Sequence, residues 1–237
     1  MPDQSARRWK YAFVAATVGL VVVVAGIVAA WPEADHSDSG SGFDSSRIFE
    51  AAGMFPAGSK VDNNRAEITL RENVGALLSS EKPQVTPASC QKYVDGIINP
   101  SRVVGTRVRT INGYSKGVQY TITAQTLPEG TPTRAAPDAA CQELTYEYSD
   151  GSFALATSPN EIPNIDGVRV DATRIVMQTN AKQTIDTFTF KGWIDGRHVV
   201  AVQAKSDPNA KPAANPIDPT FAKSLFVETV KLVRGQK

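Results

Sequence analysis

The chain has 237 residues with 25 Lys+Arg against 24 Asp+Glu, a net charge of +1. That balance supplies neither the basic field that holds nucleic acid nor an acidic run for a basic partner. Only two histidines and two cysteines are present, too few ligands for a zinc cluster, and no glycine-rich phosphate loop follows a strand, so no metal, cofactor or nucleic-acid partner is expected.

Residues 1–10 hold Arg7, Arg8 and Lys10, and residues 11–31, YAFVAATVGLVVVVAGIVAAW, follow without a single charge. At about 1.5 Å per residue the apolar run reaches roughly 30 Å, the hydrocarbon thickness of a bilayer. Trp9, Tyr11 and Trp31 stand where aromatic belts sit, and the basic residues before the run leave 1–10 as a cytoplasmic head. A cleaved signal peptide is the competing reading, because Val28-Ala29-Ala30 places small residues before Trp31. Signal h-regions are about 7–15 residues long, shorter than this run, so residues 11–31 are read as an uncleaved transmembrane anchor with everything after them extracytoplasmic.

Residues 32–46, PEADHSDSGSGFDSS, have almost nothing to bury and are expected as a flexible linker that includes His36. The exported domain is placed at 47–237. Past residue 31 the chain keeps 22 basic against 23 acidic residues, again close to neutral. A short helix opens after Ser45 and Ser46 and stops at Gly53, and Phe55-Pro56-Ala57-Gly58 turns the chain. Val61, Ala66, Ile68 and Leu70 suggest a first strand region, and 74–78 a helical turn. Thr86 and Pro87 read as N-cap and first helical residue of a helix of about ten residues, whose buried face carries Cys90, Tyr93, Val94 and Ile97.

After Pro100 the period changes to two. Val104, Thr106, Val108 and Thr110, then Val118, Tyr120, Ile122 and Ala124, predict a hairpin turning at Asn112-Gly113. A helical turn precedes Cys141, and a second hairpin turns at Asp150-Gly151. Short strands follow at 168–172, 175–177, 185–194 and 198–204, the last two joined at Asp195-Gly196. Residues 206–219 form an exposed loop, and a helix over 221–233 begins at Asp218 as N-cap with Pro219 at the first position and ends at Gly235. The fold class is α+β: an antiparallel sheet of about five to seven strands covered by helices, carried on one transmembrane helix. Cys90 and Cys141, both exterior, predict one disulfide.

Catalytic motifs are thin. Gly113-Tyr114-Ser115-Lys116-Gly117 matches G-x-S-x-G, with Asp186 or Asp195 and then His198 in the chain order of α/β-hydrolases. Alternating residues follow the motif where a helix should, so a hairpin accounts for its glycines. His198 is the only histidine in the exported part, at a strand end, where a partly exposed structural role is expected. Ser89-Cys90-Gln91-Lys92 and Ser79-Ser80-Glu81-Lys82 match S-x-x-K without a K-T-G partner. The domain is accordingly read as a non-enzymatic binding or interaction module with an envelope protein or lipid as partner. The alternatives are a lipid or small-molecule carrier or sensor and a serine hydrolase using Ser115.

The Phe55-Pro56-Ala57-Gly58 turn, the P-x-x-C step from Pro87 to Cys90, Cys141 after a Pro/Ala loop, and the ending Val233-Arg234-Gly235 behind an anchor together resemble an uncharacterised family of mycobacterial cell-envelope proteins. The resemblance spans roughly residues 46–235. It is broadly similar in plan to mycobacterial extracellular sensor-like and lipoprotein domains. It implies an actinobacterial envelope location and an α+β domain with disulfides, and it assigns no catalytic residue.

Overall fold

The computed structural model describes residues 42–62, 65–70, 83–92, 94, 104–131, 139–159, 161–210 and 216–236. The apolar segment 11–31 and the helical turn expected at 74–78 lie outside them. Among the described residues no helix is long and apolar enough to cross a membrane.

Among the described residues ten strands form one antiparallel sheet: β1 (Lys60–Asp62), β2 (Ile68–Thr69), β3 (Gln84–Thr86), β4 (Arg107–Ser115), β5 (Val118–Thr126), β6 (Glu143–Glu147), β7 (Phe153–Thr157), β8 (Arg169–Gln178), β9 (Thr184–Trp193) and β10 (His198–Ser206). Their spatial order is β1-β4-β5-β10-β9-β8-β7-β6-β3, with β2 also on β4. The chain thus makes the β4–β5 hairpin, crosses to the far side, and returns by a meander from β6 until β10 pairs with β5. The expectation of five to seven strands falls short because the strand region read from Val61 to Leu70 is two short strands, β1 and β2, and the three-residue β3 falls where a helix start was read. The two segments expected at 168–172 and 175–177 are one strand, β8, which Thr173 and Arg174 cross without a turn.

Register explains where the core lies. Ile111, Ile122, Val202, Phe190 and Ala172 face one another in a row across β4, β5, β10, β9 and β8. Helix α1 (Pro219–Val233) closes over that face with Ala222, Leu225, Phe226, Val230 and Val233. Fully burying such a Leu, Val or Phe side chain contributes about 1.5–3 kcal/mol. Phe226 stacks on Phe190 at 5.9 Å. As the sequence predicts, Asp218 caps α1 by accepting the Thr220 N–H at 2.9 Å, Pro219 stands in its first turn, and Gly235 supplies the positive φ beyond its end. Ile217, placed in the exposed loop by the sequence reading, is buried in this core.

A second core occupies the opposite face. Ala172 and Ile175 on β8 are three residues apart and so point to opposite sides of the sheet. Ile175 opposes Ala156, which opposes Leu144, and Cys90, Val94, Cys141 and Val85 cluster with them. Cys90 and Cys141 are disulfide-bonded, 51 residues apart in sequence with Cα atoms 5.7 Å apart. A 3-10 turn, Ala139–Cys141, precedes the second cysteine. The helix around Cys90 starts later than expected: Thr86 pairs with Thr145 in β3, which commits its backbone to the sheet. The Thr86–Pro87 peptide is cis, and a 3-10 turn begins at Ala88.

The first hairpin also departs from expectation. Asn112 and Gly113 lie inside β4, opposite Thr121 and Tyr120, and the turn is Lys116-Gly117, with φ of 48° and 75°. Val104 and Thr106 precede β4, because Gly105 turns the chain at φ 78°. Gly113 is needed for close approach rather than for a turn: a Cβ there would run into the edge of the Phe55 ring. Phe55 is wedged edge-on against Tyr120 and Phe221.

Two outcomes follow from this packing. Gly113→Ala should destabilise the domain by about 1–3 kcal/mol through overpacking, and adding Phe55→Leu should recover part of the loss. Thermal melts that leave Gly113→Ala at the wild-type temperature would contradict the close approach. Reduction of Cys90–Cys141 releases a loop whose closure is worth about 4 kcal/mol in the chain-entropy model. Melting with and without reductant should therefore differ by many degrees, and coincident curves would contradict the bridge's role.

Candidate functional site

The domain begins earlier than residue 47. Phe43 is buried with its ring stacked on His198 at 4.3 Å, and the Asp44 N–H donates to the Val233 carbonyl at 2.8 Å. Asp44 also caps the 3-10 helix Ser45–Met54 by accepting from the N–H of Ser46 at 2.9 Å and from its hydroxyl at 2.6 Å. Ser45 and Ser46 therefore sit inside the helix, and a carboxylate takes the capping role expected of them. Two consecutive residues thus lock the entering chain to the start of β10 and to the end of α1.

Beside this junction opens a cleft of about 580 Å³ lined by Asp44, Ser46, Arg47, Phe49, Glu50, Arg65 and Arg109. Three arginines face two carboxylates, and both carboxylates are engaged. Asp44 is the helix cap, and Glu50 pairs with Arg47 at 2.9 Å, a contact that holds the Glu50 carboxyl below its ordinary value. Arg109 reaches in from β4, donating to the Ser45 hydroxyl at 3.2 Å and the Arg65 carbonyl at 3.3 Å, and pairs with Glu67 at 3.2 Å. The Arg65 guanidinium lies over the Phe49 ring, 5.9 Å from its centroid, and has no carboxylate partner among the described residues. A guanidinium supported on an aromatic face and open to a cleft presents its planar fork of donors to an incoming oxyanion.

The residues singled out by the hydrolase motif are not brought together. Ser115 pairs with Val118 and Val118 with Ser206 at one end of β10, while His198 opens the other end, about 26 Å away at roughly 3.3 Å per residue. Asp186 is fully buried, receives Arg174 through both carboxylate oxygens at 3.0 and 2.9 Å, and accepts the Ile217 N–H. It anchors the approach to α1. His198 is buried rather than partly exposed, with Nδ1 at 2.7 Å from Asp195. Of the S-x-x-K matches, Ser79 to Lys82 lies outside the described residues, and Cys90 of the other is in the disulfide. Among the described residues no three His, Cys, Asp or Glu are placed to hold a metal ion.

The sequence reading missed the cleft because its arginines come from three separate elements with no fixed spacing. No period marked it either: Arg107 and Arg109 alternate with Val108 and Thr110 as ordinary polar strand positions, and only the register with β5 places them on the face of Ile111.

A family model described as a domain of unknown function (DUF5642) matches residues 44–234, starting at the capping aspartate. The fold is similar to that of the crystal structure of an uncharacterised protein from Mycobacterium smegmatis, the Rv0999 ortholog, with a TM-score of 0.65 and 21% identity over 81% of this chain and 97% of that one. At that identity the likeness concerns the fold. None of the curated proteins matches the chain.

The Asp195–His198 contact carries a pH dependence. Burial pushes the Asp195 carboxyl up, but hydrogen bonds from the His198 ring and from the backbone of Arg197 and His198 outweigh it and hold the carboxyl below its ordinary 3.8. A depressed folded value contributes stability above the ordinary one, and that stability is lost as pH falls through the folded value. Asp195→Asn should therefore melt lower than wild type at about pH 7, with the two converging below about pH 4. A gap of constant size across that range would contradict the assignment.

Proposed function

The chain belongs to the DUF5642 family, a domain of unknown function, and from that premise we propose that it is a membrane-tethered extracytoplasmic binding domain of the cell envelope. It holds a phosphate-type anion in the cleft of Arg47, Arg65 and Arg109 without transforming it. The observation that carries this reading is Arg65, a guanidinium set over Phe49 and facing the cleft with no carboxylate partner among the described residues.

Other features support it. The disulfide fits an oxidising compartment, and the uncharged run 11–31 behind three basic residues fits an anchor with the domain outside. Binding without turnover is supported by the wide separation of Ser115 from His198 and by the commitment of Asp186 to Arg174.

The test is a titration of the full-length chain with inorganic phosphate, followed by calorimetry or by chemical shifts of residues 44–50. Arg65→Ala should weaken binding about tenfold, the size of one lost charge-assisted contact, and Arg65→Lys should restore part of it. No phosphate binding, or equal binding by wild type and Arg65→Ala, would contradict the proposal.

A further inference from the structure

We propose that the anion taken by the cleft is the phosphate of an anionic lipid headgroup in the bilayer to which the chain is tethered. This rests on the reading of the cleft as a phosphate site and of residues 11–31 as an anchor, and it adds where the phosphate comes from. Three observations lead to it.

The first is the position of the tether. Phe43 is buried in the core, and the next residues, Asp44, Ser46 and Arg47, line the cleft. Eleven residues rich in Ser, Gly and Asp separate Trp31 from Phe43. At no more than about 3.5 Å per residue they span at most about 40 Å. The mouth of the cleft therefore cannot stray far from the headgroup layer, and a lipid phosphate is offered to it at high effective concentration.

Charge is the second. Past residue 31 the chain is nearly neutral, yet the end of the sheet where the tether enters is rich in arginine. His198 pairs with Thr126, and Thr126 with Arg107. Arg197 lies in the turn that leads into His198, and Arg234 follows Val233, whose carbonyl holds Asp44. The Arg197 side chain donates to the Leu127 carbonyl and the Arg234 side chain to the Asp166 carbonyl, at 3.3 and 2.8 Å. With Arg65, these make three guanidinium groups at this end that have no carboxylate partner among the described residues. Of the acids here, Glu50 pairs with Arg47 and Glu67 with Arg107 and Arg109, while Asp44 and Asp195 are engaged by hydrogen bonds from Ser46, Arg197 and His198. The arginines without a carboxylate partner thus gather where Phe43 enters the fold, and each arginine close to an anionic leaflet adds about fivefold to the docked population.

The third is the shape of the site. The cleft is open and its aromatic residue, Phe49, lies beneath Arg65 rather than lining an enclosed chamber. An open cleft lined by three arginines accepts a headgroup that stays in its membrane. It does not enclose acyl chains, and this separates docking on a bilayer from carrying a lipid away.

Hydrogen exchange of the full-length chain in nanodiscs tests the inference. Discs of phosphatidylcholine alone are compared with discs containing about one-third phosphatidylglycerol, each with and without inorganic phosphate. In the anionic discs, amides of residues 44–50 and 65–70 should be protected relative to phosphatidylcholine. Arg65→Ala should lower that protection about fivefold, and Arg65→Ala with Arg197→Ala and Arg234→Ala should abolish it. Melting temperatures of the variants, which remove the exposed Arg65 and Arg197 and the half-buried Arg234 side chains, report that the fold is kept. Equal protection in both kinds of disc, or anion-dependent protection untouched by the triple variant, would overturn the inference. Protection raised by inorganic phosphate alone, with nothing added by the anionic lipid, would overturn the lipid source and leave the phosphate site standing. A cleft that responds to neither would take both down.

Discussion

A ten-stranded sheet buries apolar side chains on two faces, and this chain offers one long helix among its described elements to cover them. The conflict is resolved at β8, where Ala172 turns toward α1 and Ile175 toward the disulfide-linked segment. Each half of the sheet is thereby covered on a different side. The helix-covered half has a large core with Phe190, Phe226 and Val202 at its centre. The other half has a small one, built on Val85, Val94, Leu144 and Ala156. A cluster of that size gains little from hydrophobic burial alone, so a covalent link between Cys90 and Cys141 is the economical way to hold the covering segment in place.

The same constraint fixes where the tether enters. With α1 occupying the face above β10 and β9, the 3-10 helix Ser45–Met54 fills the remaining space between α1 and β4–β5. That is possible only because Gly113 lets the Phe55 ring sit directly on the β4 backbone. Arg109, one pleat away from Ile111 on the same face, falls at the edge of that packing and not beneath it. Its charge therefore reaches water through a cleft instead of being buried. The candidate site is thus a by-product of the packing boundary: arginine side chains at the rim of the core, with an aromatic ring, Phe49, shared between core and cleft.

Legibility in the sequence followed the range of the signal. Local chemistry was readable: Asp218-Pro219 marks the start of α1, Asp150-Gly151 and Asp195-Gly196 mark turns the structure contains, and two exterior cysteines give one disulfide. Non-local demands were not. Asn112-Gly113 has the composition of a turn, but the glycine answers to Phe55 from another element, and Lys116 adopts the left-handed turn conformation without being one of the residues that favour it. Phe43 was read as linker because its neighbours are Ser, Gly and Asp. Its partner, the His198 ring, lies 155 residues further along the chain. Arg47, Arg65 and Arg109 carry no spacing that a motif could encode, and Arg109 alternates with Val108 and Thr110 as an ordinary polar strand position, so its place at the edge of the core appears only with the register of β4 on β5.

The central claim is that the cleft is an oxyanion site organised around Arg65, and it is tested most directly by locating an anion. A crystal structure of the protein grown with selenate, read by anomalous scattering at the selenium edge, should show a peak within about 4 Å of the Arg65 guanidinium nitrogens, near the plane of the group, consistent with charge-assisted hydrogen bonds. Selenate found only at other arginines, with the Arg65 cleft empty at the same concentration, would contradict the account.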